Sequence, residues 1–178
     1  MALFKNLFLI VLFASVSSFS QAEKKSIIEV EELQENFLSY KIIDVSPEAD
    51  FDTAHIVGAK NLWRADYTSQ NHELKGMMPE MKLIENSLIE LELTPFDKIV
   101  LYDHRGGCDA ARLYFILDFY GHQGLFILNG GLKAWGQRND KVVLDPQIVN
   151  IANYAFSIGR TDNRVATLED VKSSLTDE

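Results

Sequence analysis

Cysteine and basic residues are both scarce in this sequence. Cys108 is the only cysteine among 178 residues, so no disulfide can form within the chain. Lys and Arg together number 17 against 26 Asp and Glu, which gives a formal net charge of −9. A chain with this imbalance lacks the broad basic surface that attracts nucleic acids or anionic membranes, and we expect neither as a partner.

Clustered metal ligands and a nucleotide-binding glycine pattern are missing as well. His, Cys, Asp and Glu do not recur at metal-ligand spacing, so no metal site is predicted. Gly130 and Gly131 are adjacent, but the spacing of a dinucleotide fingerprint is absent around them. We expect these two glycines to serve a turn into a helix, and we expect no cofactor.

Residues 1–22 have the features of a signal peptide. Lys5 supplies the positive start, and residues 7–16 form an apolar stretch that is too short to span a bilayer comfortably. Small residues follow at Ser20 and Ala22, the two positions that a signal peptidase inspects. We expect cleavage after Ala22 and a periplasmic or secreted mature protein without membrane contact. An uncleaved membrane anchor is the alternative.

Short β-branched runs alternate with amphipathic segments through the middle of the chain. The runs predict four strands, over residues 41–45, 59–62, 98–102 and 124–128. The amphipathic segments predict two helices, over residues 82–91 and 109–120. Such alternation is typical of an α/β fold, in which helices cover both faces of a mainly parallel sheet. Ligand sites in these sheets lie beyond the carboxyl ends of the strands.

The strand predicted over residues 98–102 is followed by a short polar loop and then by a helix. The loop consists of Asp103, His104, Arg105, Gly106 and Gly107. A strand, a polar loop and a helix N-terminus together collect unpaired backbone N–H groups around one point, which suits an anion or a thiolate. Cys108 follows the loop directly, as a buried structural thiol, a free reactive thiol or a handle for an intermolecular bond.

Motifs on both sides of this loop resemble those of the rhodanese-like sulfurtransferases. Asp44, followed by Phe51 and by Ala-His-Ile-Val-Gly-Ala over residues 54–59, is similar to the first signature of the family. Further segments are similar to the first domain of two-domain thiosulfate and mercaptopyruvate sulfurtransferases; they are residues 101–103, 111–113, 120–122 and 128–135. The resemblance implies a rhodanese-like three-layer fold over residues 23–138, with a mainly parallel sheet of about five strands and helices on both faces.

The resemblance also assigns a place to the nucleophile. In active rhodanese domains a cysteine directly follows the central strand, at the position that Asp103 holds here. A carboxylate cannot carry a sulfane sulfur as a stable persulfide, because that chemistry needs a polarizable thiolate. In two-domain members the first domain has this same Asp, and a second domain carries the catalysis. The resemblance therefore implies sulfane-sulfur transfer between a small sulfur donor and a thiophilic acceptor, with this chain as the non-catalytic first domain.

Two other functions stay open from the sequence. In the first, Cys108 forms the persulfide itself and the chain is a self-sufficient sulfurtransferase. The helix dipole and nearby basic residues favour a thiolate there, whereas Asp103 and Asp109 oppose it. In the second, the chain is a binding or regulatory module that keeps the rhodanese shape without chemistry. Such a module would hold an oxyanion or a partner segment at residues 103–109.

Other residues in the resembling motifs are expected to have structural roles. Asp44 is expected to accept N–H or arginine hydrogen bonds that organise the loops, and Ser46 stands where relatives often have arginine. His55 is expected to pack and hydrogen-bond near the end of the sheet. Trp135 is expected to anchor a helix to the core. The structural set implied by the family motifs is Asp44, His55, Arg112, Gly130, Gly131 and Trp135.

The end of the sequence predicts one more helix. Thr167 is a candidate N-cap, and apolar residues fall on one face of the helix that follows it. By the family resemblance, residues 139–165 are a linker, and residues 166–178 are the start of a second rhodanese domain that is cut short in this chain. The alternative is a C-terminal helix that folds back on the domain.

Overall fold

The computed structural model of this chain describes residues 25–68, 76–138, 154–156 and 165–175. The predicted signal peptide, residues 1–22, lies outside these ranges. The strands are β1 Ile27–Ile28, β2 Lys41–Asp44, β3 Lys60–Asn61, β4 Ile99–Tyr102 and β5 Leu125–Leu128. They form one five-stranded sheet in the order β1-β5-β4-β2-β3, and every pairing is parallel. The mainly parallel sheet of about five strands is therefore confirmed.

Helices connect and flank these strands. They are α1 Val30–Glu35, α2 Glu48–Thr53, α3 Met81–Glu90, α4 Cys108–Phe119, α5 Gly131–Arg138 and α6 Leu168–Ser174, with a short 3-10 turn at Phe37–Ser39. The two helices predicted from periodicity are α3 and α4, each displaced by a single residue, and the four predicted strands are β2 to β5. Within the described ranges, no helix is both long and apolar enough to cross a bilayer.

The central strand β4 lies between β5 and β2 and is buried on both faces. Ile99 and Leu101 pack into one core cluster with residues of α3 and α4. Val100 and Tyr102 pack into a second cluster with residues of α1 and α5. This alternation follows from the two-residue period of a strand. Helices therefore cover both faces of the sheet, which confirms the three-layer α/β fold.

Part of the segment predicted as a linker, residues 139–165, contributes to the core. Tyr154 and Phe156 are buried in the same cluster as residues of α3 and α4. The Phe156 N–H donates to the carboxylate of Glu85 at 3.0 Å, and the Tyr154 hydroxyl bonds to the ring of His122. This part of the segment therefore belongs to the folded domain, because buried aromatic rings and two hydrogen bonds hold it there.

Helix α6 begins at the predicted N-cap. The Thr167 hydroxyl accepts the Asp170 N–H at 3.1 Å, and the Asp170 carboxylate accepts the Thr167 N–H at 2.7 Å. This reciprocal pair is a capping box, and it confirms Thr167 as the cap. The apolar side chains of Leu168, Val171 and Leu175 are exposed.

Candidate functional site

The carboxyl ends of β2 and β4 bring two acidic side chains into one region. In the parallel pairing of these strands Asp44 lies opposite Tyr102, and Asp103 follows directly. Because parallel strands end at the same edge of a sheet, the loop after β4 lies near the end of β2. Both carboxylates are buried, Asp44 at 0% and Asp103 at 3% exposure. Buried carboxylates require partners, and these partners define the site.

Four backbone N–H groups bind the side chain of Asp103. Its Oδ1 accepts from Arg105 and from Gly107, each at 2.8 Å. Its Oδ2 accepts from Asp109 at 3.0 Å and from Ala110 at 3.1 Å, both in the first turn of α4. We call these four N–H groups the cradle. The loop gathers N–H groups around one point, as the strand, loop and helix pattern predicts, but the anion at that point is the protein's own carboxylate.

Glycines on both sides of Asp103 shape the loop. Gly106 and Gly107 have φ of +90° and +89°, a backbone conformation that residues with a side chain disfavour. Gly131, at the start of α5, comes so close that a Cβ there would lie 2.5 Å from the Asp103 carbonyl oxygen. The same oxygen accepts the Leu132 N–H at 3.4 Å. The start of α5 therefore fixes the backbone of Asp103, while the cradle fixes its side chain.

The second buried carboxylate, Asp44, is paired with His104. Nε2 of His104 donates to Oδ2 of Asp44 at 2.9 Å, and the Ser46 N–H donates to Oδ1 at 3.0 Å. The Ser46 hydroxyl accepts the His104 N–H at 3.2 Å. Asn61 donates to the carbonyl oxygens of Asp44 and Ser46. Asp44 therefore ties the end of β2 to the loop through His104, while its other oxygen accepts the Ser46 N–H.

Tyr102 supplies a buried, neutral hydroxyl beside Asp44. This hydroxyl accepts the Ile56 N–H at 2.9 Å, and the ring lies parallel to that of His104 with 6.3 Å between the centroids. Burial raises the pKa of Tyr102, and the negative charge of Asp44 raises it further. Tyr102 therefore stays protonated at neutral pH, and it joins the segment around Ile56 to the end of β4.

Cys108 is the first residue of α4, and its thiol is exposed. Of the three roles that the sequence leaves open for this cysteine, exposure rules out the buried structural thiol. The N–H groups of the cradle bind Asp103, so none of them serves the sulfur of Cys108. The structure places Cys108 next to the cradle in sequence but gives it no share in the cradle's hydrogen bonds.

The side chains of His55 and Arg112 bind backbone carbonyl groups outside the Asp103 loop. The His55 ring is buried and stacks on Phe51, with 3.9 Å between the centroids. Its Nδ1 donates to the Phe51 carbonyl oxygen at 2.9 Å, because a carbonyl can only accept. Arg112 donates from Nη2 to the carbonyl oxygens of Gly76 and Met77, at 2.7 and 3.2 Å. Both side chains hold neighbouring segments of backbone in place.

Three more residues singled out in the sequence have side-chain surroundings of their own. They are Arg105, Gly130 and Trp135. Nη2 of Arg105 donates to the carboxylate of Asp50 at 2.9 Å, and the two side chains are 65% and 37% exposed. A Cβ on Gly130 would lie 2.6 Å from the Cβ of Ala134, so the turn into α5 has no room for a side chain. Trp135 is 4% exposed and belongs to the second core cluster.

A cleft of about 440 Å³ opens beside Asp103. One wall consists of Gly106 and Gly107 from the loop, and another of Gly130 and Gly131 at the start of α5. Strands β1 and β5 contribute apolar side chains, and Tyr102 and Asn129 complete the lining. Among the residues that the structure describes, no three His, Cys, Asp or Glu side chains are grouped as metal ligands. The site therefore consists of a glycine-lined cleft and an acidic side chain held by backbone N–H groups.

Residues 29–138 match the family described as Rhodanese-like domain. This range holds strands β2 to β5 and the whole loop after β4. The chain belongs to this family. The resemblance seen in the sequence is thereby confirmed, and the loop with Asp103 at its start lies inside the matched rhodanese-like domain.

Curated relatives of this rhodanese-like domain are named as sulfurtransferases. A thiosulfate sulfurtransferase of Pseudomonas aeruginosa is 29% identical over 134 residues, which cover 75% of this chain and 49% of the relative. A thiosulfate sulfurtransferase of Azotobacter vinelandii is 32% identical over 111 residues, which cover 61% of this chain and 41% of the relative. The mitochondrial thiosulfate/3-mercaptopyruvate sulfurtransferase 1 of Arabidopsis thaliana is 26% identical, with 35% of its length covered. The chain spans at most about half the length of these relatives.

Solved structures share the fold of this rhodanese-like domain. SseA of Escherichia coli, a 3-mercaptopyruvate sulfotransferase, aligns with a TM-score of 0.71 at 22% identity, covering 84% of this chain and 61% of its own. Tum1 of Saccharomyces cerevisiae aligns with a TM-score of 0.69 at 16% identity, covering 84% and 57%. The predicted rhodanese-like fold is confirmed, and the chain is a homologue of thiosulfate and 3-mercaptopyruvate sulfurtransferases.

Sequence reasoning missed two features of the site. It did not pair His104 with Asp44, and it did not connect the Tyr102 hydroxyl to the backbone of Ile56. The one available signal was positional, since Asp44 ends β2 and His104 lies two residues after β4. Parallel neighbouring strands bring such residues together, but only once the strand order is known.

Proposed function

We propose that this rhodanese-like domain is the non-catalytic first domain of a thiosulfate or 3-mercaptopyruvate sulfurtransferase. The observation that carries the proposal is Asp103, which directly follows the central strand β4 and binds every N–H group of the cradle. Sulfane-sulfur transfer needs a thiolate that attacks a donor sulfur and later releases it. A carboxylate oxygen forms no stable persulfide, so the domain carries no sulfur at this position.

The names and lengths of the relatives support the proposal. They are sulfurtransferases, and this chain matches between 35% and 49% of the length of the three described above. We propose that a second rhodanese domain supplies the nucleophilic cysteine and receives the small sulfur donor and the thiophilic acceptor. Helix α6 would begin that domain, whose core would cover the exposed Leu168, Val171 and Leu175.

Cys108 is the weaker candidate for a persulfide carrier. Its thiol is exposed, and the N–H groups that would stabilise a thiolate bind Asp103 instead. A thiolate on Cys108 would therefore lack the array of directed donors that lowers the free energy of a reactive anion. This comparison favours the non-catalytic domain over a self-sufficient enzyme.

The proposed location outside the cytoplasm rests on residues 1–22. The charged start, the short apolar stretch and the small residues before position 23 support a cleaved signal peptide. Intact-mass measurement of the protein recovered from a periplasmic or culture fraction should give a chain that begins at Glu23. Recovery of the uncleaved chain in the membrane fraction would instead support the anchor.

Turnover by the chain over residues 23–178 tests the proposed function. Thiocyanate formation from thiosulfate and cyanide, and pyruvate formation from 3-mercaptopyruvate, are measured beside the matched Cys108→Ser variant. We expect neither protein to exceed the rate without enzyme, because the nucleophile position holds a carboxylate. Thiocyanate produced at an ordinary enzymatic rate and lost in Cys108→Ser would overturn the proposal and establish the self-sufficient enzyme.

A further inference from the structure

We propose that Asn129 is a site of spontaneous modification, at which the backbone nitrogen of Gly130 attacks the side-chain amide and a carboxylate results that loosens strand β1 from β5. The proposal goes beyond the proposed function, because it concerns the chemistry of one turn and the attachment of one edge strand. Neither depends on sulfur transfer. Three observations carry it: the Asn129–Gly130 pair, the exposure of this pair, and the contact of Asn129 with Glu29.

The turn between β5 and α5 exposes an asparagine and the glycine that follows it. Asn129 is the only asparagine in the sequence that directly precedes a glycine. Because Gly130 has no Cβ, its backbone nitrogen is unshielded on the side of the asparagine. Both residues are exposed. Among the described residues, no acceptor binds the Gly130 N–H, so no hydrogen bond there holds the attacking nitrogen back.

The packing of the turn requires this glycine. Gly130 has a φ of +75°, which residues with a side chain disfavour, and a Cβ on it would lie 2.6 Å from the Cβ of Ala134. Its carbonyl oxygen accepts the Ala134 N–H at 3.1 Å, so the same residue also begins α5. The glycine that makes Asn129 reactive is therefore demanded by the fold.

The reaction needs only water as a co-reactant. A bond forms between the Gly130 nitrogen and Cγ of Asn129, and the bond from Cγ to Nδ2 breaks. The Gly130 nitrogen gives its proton to water, and Nδ2 takes a proton from water and leaves as ammonia. Water then opens the cyclic imide at either carbonyl group, which gives aspartate or isoaspartate. The net change replaces an amide by a carboxylic acid without oxidation or reduction, and this acid is ionised at neutral pH.

Glu29 contacts the amide that changes. Nδ2 of Asn129 donates to both oxygens of the Glu29 carboxylate, at 3.0 and 3.1 Å. A carboxylate at position 129 has no hydrogen to donate and carries the same charge as Glu29, so the attraction becomes a repulsion. Glu29 lies between β1 and α1, and β1 is held to β5 by the N–H groups of Ile127 and Asn129, which donate at 2.9 Å each. The repulsion therefore acts on a two-residue edge strand.

Peptide mapping by mass spectrometry tests the modification itself. The chain over residues 23–178 is incubated at mildly alkaline pH and then digested with trypsin, which releases residues 113–133 with Asn129 as their one asparagine. Residues 83–98 hold Asn86, an exposed asparagine of α3 that precedes a serine, and serve as the internal reference. We expect Asn129 to convert at least about tenfold faster, because the hydrogen bonds of a helix hold the backbone after Asn86. Asn129→Gln keeps an amide and should not convert.

Hydrogen exchange in the Asn129→Asp variant tests the consequence for β1. The Ile127 N–H donates to the Ser26 carbonyl oxygen, so its exchange rate reports release of the segment that contains β1. The Leu62 N–H donates to the Asp44 carbonyl oxygen at the other edge of the sheet and is the reference. We expect exchange at Ile127 to be at least about threefold faster than in the natural chain, with Leu62 unchanged.

The Glu29→Gln background separates charge from other effects of the substitution. A neutral amide at position 29 does not repel a carboxylate at position 129, so Asn129→Asp should no longer speed exchange at Ile127 there. Three results would overturn the proposal: conversion of Asn129 no faster than that of Asn86, unchanged exchange at Ile127 in Asn129→Asp, or faster exchange that persists with Glu29→Gln. None of these readouts involves turnover, so they are separate from the failure of the proposed function.

Discussion

Asp44 and His104 lie 60 residues apart in the sequence, and Nε2 of His104 donates to Oδ2 of Asp44 at 2.9 Å. The carboxylate is fully buried, whereas the imidazole side chain is 17% exposed. This contact joins the end of β2 to the loop after β4, so the first family signature and the Asp103 loop form one structural unit. Ser46 completes the junction, because it donates to Asp44 and accepts from the His104 backbone.

Removal of the His104 side chain should destabilise the domain. In His104→Ala, the buried Asp44 carboxylate would keep the Ser46 N–H and the Tyr102 hydroxyl but lose its histidine partner, and losing a hydrogen bond to a buried carboxylate costs about 2 kcal/mol. Urea denaturation gives the change in the free energy of unfolding. Arg105→Ala is the control, because it breaks only the exposed pair with Asp50 and should cost less than about 1 kcal/mol. Equal costs for the two variants would contradict the assignment.

Two buried tyrosines should respond in opposite ways to loss of the hydroxyl. The Tyr67 hydroxyl has no hydrogen-bond partner in the part of the chain that the structure describes, so Tyr67→Phe should be neutral or stabilise by up to about 1 kcal/mol. The Tyr102 hydroxyl accepts the Ile56 N–H, so Tyr102→Phe should cost about 1 to 2 kcal/mol. Thermal unfolding of both variants checks the pair, and a stabilising Tyr102→Phe would refute the role given to this bond.

Alkaline pH should destabilise the domain. Burial raises the pKa of Tyr67, Tyr102 and Tyr154 above the ordinary value of 10.0. As the pH passes about 10, these phenols ionise in the unfolded chain but stay protonated in the folded domain, so the unfolded state binds fewer protons and stability falls. The thermal midpoint should therefore drop as pH rises from about 9 to 11, and less steeply in Tyr67→Phe. Identical slopes in the two proteins would argue against the raised pKa of Tyr67.

A methyl group at position 131 should disturb the loop. A Cβ on Gly131 would meet the Asp103 carbonyl oxygen at 2.5 Å, and the φ of +56° already disfavours a side chain, so Gly131→Ala should cost about 2 to 3 kcal/mol. Gly136 is the matched control on the same helix, because a Cβ there meets nothing within 4 Å. Gly136→Ala should be neutral or stabilise by up to about 1 kcal/mol. Chemical denaturation distinguishes them, and a tolerated Gly131→Ala would contradict the close approach.

The sequence predicts the central part of the fold and misses its short elements. Residues 98–102 form a continuous apolar run because β4 is buried on both faces, and such runs are recognisable. Ile27–Ile28 is a strand only through its pairing with β5, since two residues carry no periodicity. Helix α2 buries none of its residues, so it has no apolar face to reveal it.

The sequence predicts where the site lies, but it does not predict which hydrogen bonds the Asp103 side chain makes. Family motifs mark the loop after β4 and place Asp103 where a nucleophile would stand. The bonding depends on backbone directions that a sequence does not display: the N–H groups of residues 105, 107, 109 and 110 turn toward one carboxylate because Gly106 and Gly107 adopt positive φ. For the same reason the sequence left Cys108 open as a competitor, and only its exposure and the occupied cradle separate it from Asp103.

The central claim is that the domain carries no sulfur because position 103 holds a carboxylate and not a thiolate. Mass spectrometry after thiosulfate treatment tests this claim most directly. The natural chain is compared with Asp103→Cys, in which a thiolate at position 103 could attack the outer sulfur of thiosulfate and release sulfite. We expect no added sulfur on the natural chain and one added sulfur at position 103 of the variant. The double variant with Cys108→Ser should gain the same sulfur. Sulfur added to Cys108 of the natural chain, or none added at position 103 of the variant, would contradict this account.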